Sequence, residues 1–534
     1  MRGTFALPPL NKDEPPVFAN STACREWING LHLANPAQVQ GQLAEQVDRL
    51  NRYALGAGER LRVLELLREP VAFVQAETAK RFAARPLPLA AQEQAAFEAN
   101  VALWQAMCAG YQHCLEAALD GDADVLADVV RIVQRALWAL NGEQLDLCRA
   151  SYDLGPGYWR RLHGTFAVGE QLGAAEQPVG DLLMESRGTT AHAAYVFAVL
   201  LHAASPYELS ARQFNLVQRW LLRWSGKVKL RGSAPQNFKL PPLVVDVAGD
   251  RPGSQVAAAD GNLRWLDVDG LAHSIKKRIA ALHKGTAPAA LGLGEDCSQP
   301  DCELLLRHIY ERCCKGSVAR SQTRRPGSGA CKLVAGFEAI YYFVAGKLFE
   351  QPQVDEFSKR QRDEIALFGQ RAKRFEDSYA QEHGFRMEAW EMPDESPSGM
   401  RLSRPLAEEG ARIALGQLLA VLPPAASGLR LGVVRWRTVT ESDLRIGVRL
   451  LPGIPQPATV CATGLTSVVG PRCRPGFLLP NVDALNQPPS IVFPAAAFRA
   501  DRIVEIMADQ VQQVRVSRIV ERGQDFERAE YRKP

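Results

Sequence analysis

The spacing of hydrophobic residues changes along this chain, and that change limits what the chain can fold into. Up to residue 225 apolar residues recur every three or four positions, which is the period of an amphipathic helix. In the stretch DADVLADVVRIVQRALWALNG, Val125 and Val129 begin such a run, and Gly142 is expected to end it. Beyond residue 325, apolar and polar residues alternate instead, which is typical of half-buried strands. The chain therefore combines helical and β-sheet domains.

The length and charge of the chain limit the number of domains and the kinds of protein it could be. A chain of 534 residues is too long for one hydrophobic core, so roughly two to four domains are expected. Its 63 lysines and arginines face 59 acids, and the resulting net charge of +4 argues against a protein dedicated to coating nucleic acid. The start, MRGTFALPPLNKDEPP, lacks a secretory apolar core, and no apolar run reaches the roughly 18 residues of a membrane span. We therefore expect a cytoplasmic protein.

The fold class that these patterns predict is a multi-domain α+β chain. Its regions are an extended N-terminal segment (1–35), an all-helical domain (36–225), a small α/β module (240–286), an antiparallel β-barrel with a helical insertion at 347–384 (300–475) and a β-rich C-terminal module (476–534). The insertion is predicted because Ile365, Phe368 and Phe375 are helically spaced within a charged segment.

Two local signals refine this outline. In SPYELSARQFNLVQRWLLRW, Ser205 is expected to cap a helix, with Pro206 at its first position and Glu208 completing a capping box. In the β region, LRLGVVRWR and LRIGVRLL flank the turn TVTESD, which predicts a β-hairpin.

The eleven cysteines are scattered, and in a chain without a secretory signal they are expected to be reduced, partly buried thiols. The densest group contains Cys297, Cys302, Cys313 and Cys314, with His308 among them. Zinc sites usually pair cysteines two to four residues apart, and this spacing does not fit that pattern. No metal site is predicted.

Common enzyme signatures do not fit this chain. RPGSGACK lacks the contiguous Gly-Lys-Ser/Thr of a phosphate-binding loop, and LGLGED is too short for a dinucleotide fingerprint. Neither a Gly-x-Ser-x-Gly elbow nor a His-Glu-x-x-His pair occurs. We therefore predict no catalytic residues and no enzyme activity.

One candidate binding motif is an arginine loop. Arg320 and Arg324 lie four residues apart in KGSVARSQTRRPGSG, just before the first strand of the β region, and Arg325 follows directly. Their planar, permanently charged side chains can bind phosphates with two hydrogen bonds and stack on purine rings. Alone, such a spacing is common in an arginine-rich chain and usually means a solvated loop.

A second candidate motif lies in WEMPDESPSGMRL, as Asp394-x-Ser396-x-x-Gly399. A carboxylate can accept hydrogen bonds from the adjacent N1 and N2 donors of guanine, and a serine hydroxyl can donate or accept. Glycine lets the backbone approach a flat ligand closely. Pro, Asp, Ser and Gly are also what an ordinary turn contains.

Together, the order of the two motifs resembles the PilZ domain, a six-stranded barrel that binds the bacterial second messenger cyclic di-GMP. In that family an Arg-x-x-x-Arg loop precedes the barrel, and an Asp/Asn-x-Ser-x-x-Gly turn lies on early strands. The hairpin GVVRWR…LRIGVRLL is similar to the closing strands of the family, with Gly447 at the glycine usually found there. The resemblance covers residues 318–460, about a quarter of the chain.

The resemblance implies a role for each motif residue. Arg320 and Arg324 would clamp guanine faces and phosphates, while Asp394, Ser396 and Gly399 would surround the other guanine. Asp394 lies 70 residues after Arg324, further than in typical members, and the excess corresponds to the predicted insertion. Because insertions at loop tips are well tolerated, the two motifs are expected to meet in space.

The function implied is a cyclic di-GMP receptor that needs no cofactor and signals through its helical half to a protein partner. The alternative is an interaction scaffold whose barrel is degenerate and binds no ligand. Nucleic-acid binding through SIKKRIAALHK and the arginine loop is less favoured, because aromatic residues are not interleaved with the basic ones.

Overall fold

The structure is a computed structural model of the chain. It describes residues 4–11, 13–184, 188–234, 236–255, 261–316, 324–327, 329–351, 380, 382–424, 426–462, 473–482, 487–496, 503–508 and 510–532. Two compact units are present, the first formed by residues 1–85 and 89–319 and the second by residues 86–88 and 320–534. Across the described ranges, no helix is both long enough and apolar enough to cross a bilayer.

The first unit is mainly helical, as the sequence predicts. Its helices are α1 (Ser21–Asn29), α2 (Pro36–Arg52), α3 (Ala57–Ala79), α4 (Ala91–Leu119), α5 (Ala123–Leu126), α6 (Val129–Ala150), α7 (Tyr158–Gln171), α8 (Ala191–Ala203) and α9 (Ala211–Trp224). The prediction of an extended segment before residue 36 is wrong for α1. That helix begins because the Asn20 side chain accepts a hydrogen bond from the Ala23 N–H and so caps its first turn.

Two predicted helix ends are wrong. Helix α6 continues past Gly142, where the missing side chain makes room for Trp104; a Cβ there would lie 2.6 Å from the indole. Helix α9 is capped by Ser210 rather than by Ser205, and the Ser210 side chain accepts a hydrogen bond from the Gln213 N–H. Ser205 has a left-handed backbone, and its side chain makes no capping hydrogen bond. Pro206–Glu208 form only a short 3-10 turn.

A buried ionic cluster ties three parts of the helical unit together. Asp181, 1% exposed, accepts hydrogen bonds from Arg68 of α3 at 2.9 and 3.0 Å and from Arg135 of α6 at 3.1 Å. Glu65 lies 3.2 Å from the Arg135 guanidinium and also accepts from the Tyr111 hydroxyl at 2.8 Å. Buried charges persist in a fold only when they are paired in this way.

The middle of the chain forms a small α/β module, as the sequence predicts, but its first strand lies ahead of residue 240, where the sequence pattern places the start of the module. Strands β1 (Lys229–Arg231), β2 (Leu243–Asp246) and β3 (Leu263–Asp267) form an antiparallel sheet in the order β1-β3-β2. Helix α10 (Asp269–His283) follows, and α11 (Asp301–Ile309) continues into a π-helical turn at Tyr310–Lys315.

The prediction that all cysteines are reduced is wrong for four of them. Cys297 pairs with Cys302, and Cys461 pairs with Cys473, which lies directly opposite in the neighbouring strand. The other seven are buried thiols, and burial raises the pKa of Cys108 to about 12, so that it stays protonated at neutral pH. Among the described residues no group of three or more His, Cys, Asp or Glu side chains could hold a metal ion.

The first barrel of the second unit contains Arg324 and the second motif, and its first strand begins at Arg325 rather than near residue 300, where the sequence pattern places the start of the barrel region. Its strands are β4 (Arg325–Pro326), β5 (Ala330–Ala335), β6 (Glu388–Ser396), β7 (Gly399–Pro405), β8 (Leu418–Leu422), β9 (Arg430–Val439) and β10 (Asp443–Leu450). They pair in the order β4-β6-β5-β8-β9-β10-β7, and a further pairing of β6 with β7 closes the ring of β5 to β10. The predicted hairpin is confirmed as β9 and β10, with Leu444 opposite Val439.

A second barrel follows. It is closed by β11 (Gln456–Ala462), β12 (Cys473–Leu479), β13 (Ser490–Pro494), β14 (Ile503–Met507), β15 (Val511–Arg522) and β16 (Phe526–Arg532), in the order β11-β12-β13-β16-β15-β14. Its first strand begins at Gln456, ahead of residue 476, where the sequence pattern places the start of the β-rich C-terminal module.

Helix α12 (Phe337–Ala345) packs within a core that both barrels share. Ile340 of this helix lies in one cluster with Val334 and Leu431 of the first barrel. Phe477 and Phe526 of the second barrel belong to the same cluster, and both are fully buried. Because apolar burial is the main source of stability, the second unit is held together by this common core.

Candidate ligand-binding site

The short strand β4 brings the arginine loop to the second motif. Arg325 lies opposite Glu395, and Pro326 lies opposite Asp394, in an antiparallel pairing of β4 with β6. Gly327 continues this approach, since its N–H donates to the Pro393 carbonyl at 3.1 Å. The 70 residues between Arg324 and Asp394 therefore do not keep the motifs apart.

Asp394 forms ion pairs with two arginines. Arg324 Nη1 donates to Asp394 Oδ1, and Arg401 Nε lies 3.0 Å from Asp394 Oδ2. The side chain of Asp394 is 18% exposed, against 26% for Arg324 and 41% for Arg401. The three charged groups are therefore open enough to meet a ligand and close enough to act on the same one.

Ser396 and Gly399 close the turn between β6 and β7. They lie opposite each other, and Ser396 Oγ donates to the Gly399 carbonyl at 3.0 Å. The residues between them are Pro397 and Ser398, and the Ser398 carbonyl accepts from the Leu450 N–H at 2.9 Å. The turn is thus fastened to β10 as well as to its own hairpin.

Packing explains why residue 399 is glycine. A Cβ at this position would lie 2.5 Å from the carbonyl oxygen of Val448 on β10. The neighbouring atom belongs to the backbone and cannot rotate away, so β7 and β10 could not stay as close with any side chain here.

We expect Gly399→Ala to lower the free energy of unfolding of the barrel unit by about 1–3 kcal/mol, because the added methyl group overpacks the β7–β10 contact. Chemical denaturation of the full-length variant measures the change. The matched control is Gly428→Ala, since no atom lies within 4 Å of a Cβ there. Equal stability of the two variants would contradict this account of Gly399.

One row of residues crosses the barrel beside the ion pairs. The aligned positions on successive strands are Asp394, Arg401, Gly447 and Trp436. A Cβ on Gly447 would lie 2.0 Å from Trp436 Nε1, so the half-buried indole covers this glycine. Arg401 and Trp436 were missed by sequence reasoning, and only the strand register places them beside Asp394.

The remaining predicted site residues have different positions. Arg325 is exposed on β4. Arg320 and residues 352–379, the greater part of the predicted insertion, lie outside the described residues. Arg324, Asp394, Ser396 and Gly399 are therefore the motif residues that the structure brings together.

Comparison with known proteins identifies the regions on either side of this site. Residues 22–236 match the family model described as "Cyclic-di-GMP receptor FimW, N-terminal domain", and residues 461–534 match the "FimW C-terminal beta-barrel domain". Both FimW domain models thus match parts of this chain. It is also 23% identical over 527 residues to a protein of Pseudomonas aeruginosa named "Cyclic-di-GMP receptor FimW", covering 90% of this chain and 85% of the relative.

The FimW matches fit both units of the structure. The N-terminal match spans α1 to β1, and the C-terminal match spans most of the second barrel. The identification of the chain as a multi-domain protein of the PilZ type is confirmed at this level, as is its α+β fold class. The named relative is a receptor rather than an enzyme.

Proposed function

We propose that this protein is a cyclic di-GMP receptor whose ligand binds at the first barrel, over the Arg324–Asp394 pair. The observation that carries the proposal is the contact between these two side chains, because a guanine-reading acid and a phosphate-binding arginine meet from sequence positions 70 residues apart. The similarity to a named cyclic di-GMP receptor supports the same ligand.

On binding, the ligand would replace the contact between Arg324 and Asp394 with its own contacts to each of these side chains. Arg324 would turn its guanidinium from Asp394 to the phosphate, because the planar guanidinium can donate two parallel hydrogen bonds to phosphate oxygens. The freed Asp394 oxygen would accept from guanine N1 and N2, while Arg401, 3.0 Å away, would hold the carboxylate in place. Before binding, one carboxylate faces two arginines, so the group carries a net charge of +1 that favours an anionic ligand.

Binding would be passed to a protein partner through the helical half. The Arg320–Arg324 loop follows directly in sequence on α11 and its π-helical turn, and π-helical turns often occur at functional sites. A segment that is held by a bound ligand shifts the population of the elements attached to it. The helical domain, matched by the N-terminal FimW model, is the proposed output surface.

Calorimetric titration of the full-length protein with cyclic di-GMP, cyclic di-AMP and GTP tests this function. We expect heat from cyclic di-GMP and much weaker binding of cyclic di-AMP, because adenine presents an acceptor at N1 where guanine presents a donor. GTP, with a single guanine, is expected to bind more weakly than the dinucleotide. No heat with cyclic di-GMP would exclude the receptor function.

One observation favours the scaffold alternative. Both oxygens of Asp394 are already engaged by arginines, so the ion pairs could simply fasten β4 to the barrel. In that case the barrel would bind no cyclic dinucleotide, and the helical half would still bind its partner. The same titration separates the two functions.

A further inference from the structure

A cavity of about 280 Å³ opens in the first unit between α10 and the end of α11. Ile279 and Ala280 of α10 form its apolar wall. Tyr310 and Lys315, from the π-helical turn, face them, and Lys276 of α10 completes this part of the lining. Of the described residues of the barrel site, none of Arg324, Asp394, Ser396 and Gly399 lines this cavity.

Two lysines of the lining converge on one aromatic ring. The Nζ atom of Lys276 lies 5.1 Å from the centroid of Tyr310, and that of Lys315 lies 5.5 Å from the same centroid. Within the described ranges neither ammonium group has an ion-pair partner. Both side chains are exposed and stay hydrated, and each ammonium group is attracted to the face of the ring, so together they give this part of the cavity a positive potential.

The other positively charged side chain of the cavity is already paired, and the imidazole beside it contacts the same carboxylate. Arg307 lies 2.6 Å from Glu303, and His283 lies 2.9 Å from the same carboxylate. Glu311 also lines the cavity and is exposed. Among the described residues, Lys276 and Lys315 are therefore the positive charges of the lining without an ion pair, and the Glu311 carboxylate offsets one of the two.

The two lysines are held beside the cavity in different ways. Lys315 ends the π-helical turn, where a cation favours the carbonyl end of a helix. Lys276 lies in the middle of α10, where the helix dipole offers it nothing. Its ammonium group lies near the face of Tyr310 instead, and this attraction keeps it beside the cavity.

We propose that this cavity binds a small phosphorylated molecule, with its phosphoryl group between Lys276 and Lys315. A phosphomonoester carries nearly two negative charges at neutral pH, which match two ammonium groups. Lysine binds phosphate as a point charge, so the two side chains need not adopt one rigid geometry. Ile279, Ala280 and Tyr310 would cover the apolar part of the ligand, and the volume restricts it to a molecule smaller than most drug-sized ligands.

Titration of the full-length protein with inorganic pyrophosphate at fixed ionic strength tests the proposal. We expect binding to wild type and about a tenfold loss of affinity in each of Lys276→Gln and Lys315→Gln, since each removes one charge-assisted contact. Lys277→Gln is the matched control. Lys277 is exposed on the same helix and does not line the cavity, so its variant should bind like wild type.

Several outcomes would overturn the assignment. The cavity is not a phosphate site if pyrophosphate does not bind wild type, or if Lys277→Gln weakens binding as much as Lys276→Gln does. A competition experiment uses Asp394→Ala protein, in which the proposed barrel site is disabled. If cyclic di-GMP displaces pyrophosphate there, the cavity belongs to the dinucleotide; we expect no displacement, whether or not the barrel itself binds cyclic di-GMP.

Discussion

Asp394→Ala is expected to weaken cyclic di-GMP binding by about a hundredfold while leaving the weaker binding of cyclic di-AMP nearly unchanged. The carboxylate is the group proposed to accept from guanine N1 and N2, and a lost hydrogen bond to a charged group costs about 1.5–3 kcal/mol. Adenine offers no donor at N1, so it loses nothing when the acid is removed. The ratio of the two affinities, measured by calorimetry, is therefore the decisive quantity.

Arg324→Ala should behave differently in the same assay. Phosphates are common to both dinucleotides, so removing the guanidinium should weaken both by a similar factor, of about tenfold or more. Arg445→Ala is the matched control, because Arg445 is exposed on β10 of the same barrel and pairs with Asp443 at 3.2 Å. If Asp394→Ala lowered both affinities equally, Asp394 would not read the base.

Much of this architecture could be predicted from periodicity alone. The helical half, the β9–β10 hairpin and the tail strands from β13 onward follow patterns of three to four residues or of two, which depend only on local burial. Helix ends were harder to predict. Gly142 resembles a terminator in the sequence, and only the approach of Trp104 shows why a glycine is needed inside α6.

In the candidate site, too, residues of local motifs could be predicted, whereas residues placed by strand pairing could not. Arg324 and Asp394 could be predicted as partners because each belongs to a recognisable motif. Arg401 and Trp436 could not, since their places beside Asp394 depend on the pairing of β6, β7, β10 and β9. The disulfide between Cys461 and Cys473 was also missed, because it depends on strand register.

Asp181→Asn is expected to lower the free energy of unfolding of the helical unit by about 3–5 kcal/mol, the usual cost of removing one partner from a buried ion pair. Asparagine keeps the size of the side chain, so the loss would come from charge rather than from a cavity. Arg68 and Arg135 are 5% and 4% exposed and, among the carboxylates that the structure describes, would share Glu65, which lies 4.0 Å from Arg68. Chemical denaturation followed by helical circular dichroism measures the change.

The control is a pair with the same chemistry but without burial. Asp48 lies 3.0 Å from Arg52 on α2, and the two side chains are 55% and 50% exposed. Water already solvates both charges, so Asp48→Asn should cost at most about 1 kcal/mol. If both variants had the same free energy of unfolding, Glu65 alone would be enough to hold the two buried arginines.

A double-mutant cycle of Asp181→Asn with Arg135→Leu distinguishes these cases. A positive coupling between the two sites is expected if Asp181 carries the pairing, because removing Arg135 also removes one charge that the lost carboxylate had neutralised.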